Sequence, residues 1–441
     1  MFQTLVQAFK SKDLRKKLLL TLLILFVYRI GCWLPIPGLD IASFKDSVDN
    51  DNSGFLNLLS SVTGGAMSNG SLLALGVIPY ISASIIIQLL TVAIPALERL
   101  SKAGEEGRKK IAFYTRIVAL IFAIIQSIAI VLTFSASRNI NETALSSGVP
   151  SWVVSMIIVL VLVAGAMFTL WLGEKITDLG IGNGVSLLVF VGIVCSAGSA
   201  ILQAFKGISA TNLDGLWTVL IFAAMLFVVF ALIVFVDLAE RRIQVNYAKQ
   251  IKGRKMYGGQ STYIPIKVNG SGVLPIIFAT AIVAFPQLIM QLVGVTYGNS
   301  FYDWWAEWLG SGTVIYFLFN AIFIFFFTYF YAQITFNPEE VSRTLQQNGG
   351  FIPGIRAGKP TMEYLKKISR RITFFGATYL AIIFVVPTVA LSLIPTGSIV
   401  SGSLVNAFTV TGLLIVVSVA LELDKQINAQ LLARNYRGFL K

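Results

Sequence analysis

The feature that most constrains this chain is the recurrence of apolar runs long enough to cross a lipid bilayer. A hydrocarbon core about 30 Å thick needs roughly 20 apolar residues as helix. Ten runs qualify: 18–34, 72–97, 112–134, 152–173, 183–203, 216–236, 272–296, 312–335, 372–394 and 404–421. Lipid offers no hydrogen bonds, so each run must satisfy its own backbone and is expected as an α-helix. Composition agrees: 56% of the 441 residues are hydrophobic and 12% charged, whereas a soluble domain is about 25% charged. The first run ends in Pro35-Ile36-Pro37 with no small-residue cleavage site. It reads as a retained span and not as a signal peptide.

An even number of spans puts both termini on one side, and the basic residues choose which. The N-terminal segment, the second, sixth and eighth connections and the C-terminal tail, with Arg116 and Lys175, hold 30 of the 34 Lys and Arg. The opposite loops hold Lys45, Arg138 and Lys206, and Arg29 lies in the first span. The positive-inside rule makes the basic side cytosolic, with both termini. Setting topology accounts for much of this charge without any partner.

Two connections exceed that need. Residues 237–271 and 336–371 are each about 35 residues long, against about 2–8 for most helix connections. Both mix basic residues with Gly, Pro and aromatics, as in Lys252–Gly259 (KGRKMYGG) and Asn348–Arg356 (NGGFIPGIR). Such loops suit RNA or an acidic protein face, and equally lipid headgroups.

Several function classes are disfavoured. Histidine is absent, and Cys32 and Cys195 have no CxxC partner, which removes His-based catalysis and the common Zn and haem ligand sets. Arg29 is within snorkelling reach of the outer interface and Arg116 is near the cytosolic edge. Glu422 and Asp424 lie where the last span leaves the membrane. No carboxylate inside the spans remains to couple an ion gradient or act as a general acid or base. This argues against an ion-coupled transporter and against an enzyme, and leaves a passive pathway; no cofactor is expected. Gly180–Gly184 (GIGNG) has the wrong spacing for a dinucleotide loop and reads as a tight turn between two spans. Ser82, Ser84, Gln88, Gln126 and Asn320 are uncharged polar residues within spans. They either bond helices together or mark a polar seam between helices that separate.

One segment neither spans nor leaves. Phe55–Val62 (FLNLLSSV) is apolar but far too short to cross, and Gly64-Gly65 breaks it before the second span. Irregular backbone at membrane depth is tolerated only when buried in protein or lining an aqueous cavity. A short helix here either stoppers a pore or caps the outer face.

Five motifs, in order, resemble the SecY family, the channel subunits of the bacterial protein translocase. They are Ile36-Pro37-Gly38, Ser71–Leu90 (SLLALGVIPYISASIIIQLL), Glu174–Ser186 (EKITDLGIGNGVS), Val273–Phe278 (VLPIIF) and Gly350–Arg356 (GFIPGIR). The resemblance extends from Leu14 to the tail. It implies an all-α integral membrane fold of ten helices in two pseudo-symmetric halves, 1–215 and 216–441, around an hourglass pore. Unfolded preproteins would cross through the middle, and membrane helices would leave sideways into lipid.

The resemblance also assigns residues. The constriction ring falls on Val77, Ile81, Val185, Val189, Ile277 and Ile415. Aliphatic side chains bind water and ions weakly, so a narrow ring of them gates by dewetting. Two valines in the fifth span, where isoleucine is common, imply a slightly wider ring. The plug corresponds to about 55–67, with Phe55, Leu56, Leu58, Leu59, Val62, Gly64, Gly65 and Met67. A lateral gate between spans 2–3 and 7–8 would have Gln88 and Gln126 near it. Arg356, and less directly Arg242 and Arg254, would dock a SecA motor or the ribosome. Ala357 departs from the usual proline after Arg356. Implied partners are SecE and SecG subunits, the SecA ATPase, the ribosome, preprotein signal sequences and membrane lipids. The implied location is the bacterial plasma membrane.

Overall fold

The computed structural model describes residues 2–37, 60, 63–136, 150–206, 213–247, 250–252, 255–257, 261–270, 272–293, 300–310, 313–392 and 410–439. A helix lies on each of the ten apolar runs: α2 (Lys12–Gly31), α3 (Ile78–Ala93), α5 (Gly104–Ala136), α6 (Ser151–Leu179), α7 (Gly184–Lys206), α8 (Leu213–Leu238), α9 (Leu274–Val293), α11 (Val314–Thr335), α13 (Lys359–Ser392) and α14 (Val410–Phe439). Shorter helices are α1 (Phe2–Lys10), α4 (Pro95–Lys102), α10 (Ser300–Leu309) and α12 (Pro338–Gln347). The second run is not one rod, because the chain turns by 102° between α3 and α4. Pro95 opens α4 at its first turn, where its missing N–H costs nothing.

Large apolar side chains point outward along these helices. Phe227 and Phe235 on α8 are 74% and 75% exposed. Water would penalise such a surface and lipid does not. Hydroxyls in the helices bond one turn back along their own backbone, as Thr21 to Lys17 O, Thr169 to Gly165 O and Thr328 to Ile324 O. They therefore need no partner from the bilayer.

The chain divides into two compact units. The first comprises Met1–Ile221, Ala281–Tyr316 and Ser392–Lys441. In it α3 packs on α5, α5 on α6, and α6 on α7. α2 packs on α6, and α14 on α7 and α1. One apolar core joins Ala123, Ile130 and Val131 of α5 to Val154, Ile158, Leu162 and Ala166 of α6. A second joins Ala8, Leu14 and Leu18 to Ile181 and Ile427, and so ties both chain ends to the turn before α7.

The second unit comprises Phe222–Thr280 and Phe317–Leu391. Here the structure adds what the helical pattern did not predict, a small β-sheet built from both long connections. β1 (Glu240–Tyr247) pairs antiparallel with β4 (Ser261–Lys267), Ile243 opposite Ile264. β5 (Gly350–Phe351) adds to the other edge of β1 through Asn246 and Tyr247. A separate short ribbon pairs β2 (Gln250–Lys252) with β3 (Lys255–Tyr257). Strand residues alternate faces, so Ile243, Val245 and Ile266 point together into a core with Leu345, Ile352 and Leu365. Pro265 is accommodated because β4 is an edge strand. The two connections are one platform with one apolar core.

Candidate functional site

The described part of the plug region is a stem wedged among spans. Ser60 and Thr63 are helical, and the Gly65 N–H donates to Ser60 O at 2.8 Å. That is the closing bond of a Schellman stop, with Gly64 in the left-handed region at φ +72°. No side chain fits there. A Cβ on Gly64 would lie 2.8 Å from both Cα and O of Gly192 on α7 and 2.6 Å from Nη1 of Arg29. Arg29 Nη1 donates to Gly64 O at 2.8 Å. The charge near the end of the first apolar run thus has a partner in the stem.

Beyond the glycines the chain is fixed. Ala66, Met67 and Ser71 are fully buried, and Met67 belongs to the core between α5 and α6. Ile36 N–H donates to Gly70 O at 2.9 Å and Leu72 N–H to Leu34 O at 2.8 Å. Gly165 lets α6 approach the Leu72 carbonyl directly. The stretch 63–77 is thus irregular backbone enclosed by α2, α6 and α7. Of the plug residues, Gly64, Gly65 and Met67 lie here. Phe55, Leu56, Leu58, Leu59 and Val62 lie outside the described residues.

The stem also touches residues next to the expected ring. A Cβ on Gly76 would meet Thr63 Cγ2 at 2.8 Å. Gly76 precedes Val77, which is buried at the N-cap of α3, and Ile81 follows one turn on, its N–H bonded to Val77 O at 3.0 Å. On α7, Val185 and Val189 are one turn apart, and Gly192, against which Gly64 rests, is less than a turn further. Val189 is buried, while Val185 turns its Cγ2 towards Gly173 of α6. Ile415 is buried on α14, which packs against α7. The first unit therefore gathers the stem with Val77 and Val189. Ile277, half-buried near the start of α9, belongs to the second unit.

What aims α7 is the turn GIGNG. Asn183 Oδ1 accepts from Val185 N at 3.1 Å and Ser186 N at 3.4 Å, an N-cap of the new helix. Thr177 Oγ1 accepts from Gly184 N at 2.9 Å. Gly184 sits against the Gly173 carbonyl, with no room for a side chain. The glycines serve a tight reversal between helices, as the spacing suggested.

Gln88 donates to Ser84 Oγ at 3.3 Å within α3. Gln126 on α5 is 6% exposed and its Oε1 is a buried acceptor with no partner among the described residues. At the edge of the same bundle Arg116 Nε bonds Glu174 Oε1 at 2.6 Å, linking α5 to α6.

On the platform, Arg242 and Tyr263 share the outer face, and the guanidinium stands 4.9 Å from the ring centroid. Arg242 Nε also bonds Glu240 Oε1 at 2.7 Å, which raises the guanidinium pKa above its ordinary value. Arg356 is exposed on the turn after β5, and its carbonyl accepts from Thr361 Oγ1 at 2.8 Å. Arg254 lies outside the described residues. Sequence reasoning missed two things: the Arg29 bond to the stem and the pairing of the two connections. The second had a signal in the alternating Ile243-x-Val245 and Ile264-x-Ile266.

The model of the SecY family matches residues 71–423. The chain belongs to the SecY family. A protein translocase subunit SecY from Streptomyces galbus is 44% identical, and one from Streptomyces scabiei 43%, each covering 100% of both chains. Another, from Mycobacterium bovis, is 39% identical over the full length of both. Among solved structures, that of a protein conducting channel superposes with a TM-score of 0.66 at 17% identity, covering 94% of this chain and 91% of that one. A canine ribosome-channel complex of Sec61 gives 0.60 at 16% identity, with 94% and 91% covered. These likenesses extend the family's fold across nearly the whole chain, and the chain is a membrane protein of that fold.

Proposed function

We infer that this chain is the channel-forming subunit of a protein translocase, a passive conduit for unfolded polypeptide. The observation that carries the reading is the stretch 63–77. Irregular backbone persists among apolar helices only when it is enclosed by protein or borders an aqueous cavity. Here it is enclosed, and it rests beside buried aliphatic residues of α3 and α7. A structure described by its plug domain, which stabilises the closed state of the SecY channel, superposes with a TM-score of 0.62.

On this reading ten spans form halves 1–215 and 216–441 around the pore. Val77, Ile81, Val185, Val189, Ile277 and Ile415 make its ring. They seal against ions by dewetting and yield around a passing side chain. The segment preceding Gly64 is the plug. Spans 2–3 and 7–8 part as the lateral gate, and the unpartnered Gln126 acceptor suits a helix contact that opens. The basic face, with both termini, lies in the cytosol of a bacterium. On this reading Arg242, Arg254 and Arg356 dock a SecA-like motor or the ribosome, while SecE and SecG complete the membrane complex. On this reading the energy source is external, supplied by the motor or the ribosome.

The test is reconstitution of the full chain with SecE-like and SecG-like subunits in vesicles, plus a SecA-like motor. ATP-dependent entry of a preprotein into protease-protected lumen is the expected result. Entry that proceeds equally well without this chain would overturn the reading.

A further inference from the structure

Hydroxyls in the helices of this chain commonly bond one turn back along their own backbone. Thr344 of α12 does so, donating to Glu340 O at 2.9 Å. Two hydroxyls close by reach out of their helices, and both end on one short loop. Ser342 of α12 donates to Gly358 O at 2.8 Å, across 16 residues of chain. Thr361, in the first turn of α13, donates to Arg356 O at 2.8 Å. The two side chains are buried, at 3% and 1% exposure. A hydroxyl that caps the start of a helix accepts from a backbone N–H. That of Thr361 donates to a carbonyl outside the helix, so this bond serves the loop. The loop is held from its other side as well. Ile352 is buried in the platform core, Ile355 packs against that core, and Ile355 N–H donates to Ile352 O at 3.0 Å. Gly358 lies in the left-handed region at φ +99°, and its carbonyl also accepts from Met362 N at 3.1 Å. The backbone is thus tied on both sides of Arg356, whose side chain is exposed.

We propose that Ser342 and Thr361 are positioning residues for Arg356: their buried hydroxyls hold the Gly358 and Arg356 carbonyls so that the guanidinium meets an acidic face of the motor from a fixed start. This rests on the docking role of Arg356 given above. The physical case is preorganisation. A guanidinium that forks onto a carboxylate needs its donors in a narrow geometry. The direction of its Cα–Cβ bond follows the backbone, so a held backbone narrows what the side chain must search. A loop that wanders has to be ordered on contact, and that ordering weakens binding. Neutral hydroxyls hold the loop without adding a charge that competes for the partner's carboxylates. Removing either one leaves the apolar contacts of Ile243, Val245 and Leu365 in place and loosens the loop alone.

The test measures the affinity of a SecA-like motor for the full complex in lipid nanodiscs. Thr361→Val and Ser342→Ala remove the hydroxyls with little change of shape. Each is expected to weaken motor binding about three- to tenfold, the scale of one neutral hydrogen bond. Thr361→Ser keeps the hydroxyl and should bind as the parent does; weakened binding there would make the lost methyl responsible and overturn the proposal. Arg356→Ala weakens binding by itself, and Thr361→Val added to it should weaken it no further, because the hydroxyl acts through the arginine. Hydrogen exchange of peptides covering 240–247 and 261–267 reports the fold of the platform and should be unchanged in both hydroxyl variants. If Arg356→Ala weakens binding while both hydroxyl variants bind as the parent, the positioning role is wrong and the docking role stands. If the loss from Thr361→Val persists in full beside Arg356→Ala, or comes with lost protection in those strands, the hydroxyls are merely structural and the proposal is overturned. If Arg356→Ala binds as the parent, the docking reading fails and the positioning role with it. Should one hydroxyl variant fail to assemble, the other decides by the same criteria.

Discussion

Leu365→Ala tests whether the two long connections are a single folding unit. Leu365 is fully buried at the start of α13 and lies in the core with Ile243, Val245, Ile266, Leu345 and Ile352. Truncating such a side chain costs about 2–5 kcal/mol, depending on how far the cavity collapses. A unit of roughly 70 residues is held by only on the order of 3–10 kcal/mol at ordinary stability per residue. The opened population therefore rises between about thirtyfold and several thousandfold. Hydrogen exchange followed by mass spectrometry in lipid nanodiscs reads this directly. Because β5 hydrogen-bonds to β1, peptides covering 240–247, 261–267 and 350–356 are expected to lose protection together. Motor-driven transport should fall with them, while resting ion conductance stays unchanged, because the α5–α6 core is elsewhere. Loss of protection confined to residues around 365, with β1 and β4 unaffected, would refute the single-unit reasoning.

Three further outcomes follow from the geometry. Gly184→Ala drives a Cβ into the Gly173 carbonyl and disturbs the Asn183 cap. Overpacking and the lost cap together cost about 2–5 kcal/mol, read as a lower thermal midpoint in detergent; an unchanged midpoint would show that the turn relaxes freely. Arg356→Glu leaves the platform intact, since the side chain is exposed, but should abolish motor-driven preprotein entry in vesicles; undiminished entry would remove Arg356 from the docking face. The Lys102 hydrogen bond holds the Glu98 carboxyl below the ordinary carboxylate range. The pair's contribution is thus present at neutral pH and lost as pH falls through that lowered value. Both side chains are exposed, so mild acidification that stops above the carboxylate range should leave stability untouched.

Much of the membrane part was legible in the sequence because its physics is local. A run of about 20 apolar residues must be helical in lipid whatever its neighbours do, and all ten expected runs carry helices. The GIGNG turn was legible for a similar reason, since glycine and asparagine at a helix reversal act over a few residues. The sharp turn after α3 was not, although Pro95 marks it, because a proline opens a helix as readily as it bends one. The partner of Arg29 was not legible either. Five residues from the end of an apolar run, the pattern gives its depth, whereas the carbonyl it bonds belongs to Gly64, 35 residues away.

By itself, then, the sequence determined that this chain lives in a bilayer, where its helices fall and which connections carry the basic charge. Each of these follows from how a stretch of residues meets its solvent. Tertiary structure alone decided what meets what. It joined the sixth and eighth connections through Asn246 and Phe351, anchored Met67 in the α5–α6 core, and turned Arg29 onto the stem. Those contacts bridge tens to about a hundred residues of chain, and hydrophobic burial, being non-directional, does not encode its partners in any local pattern.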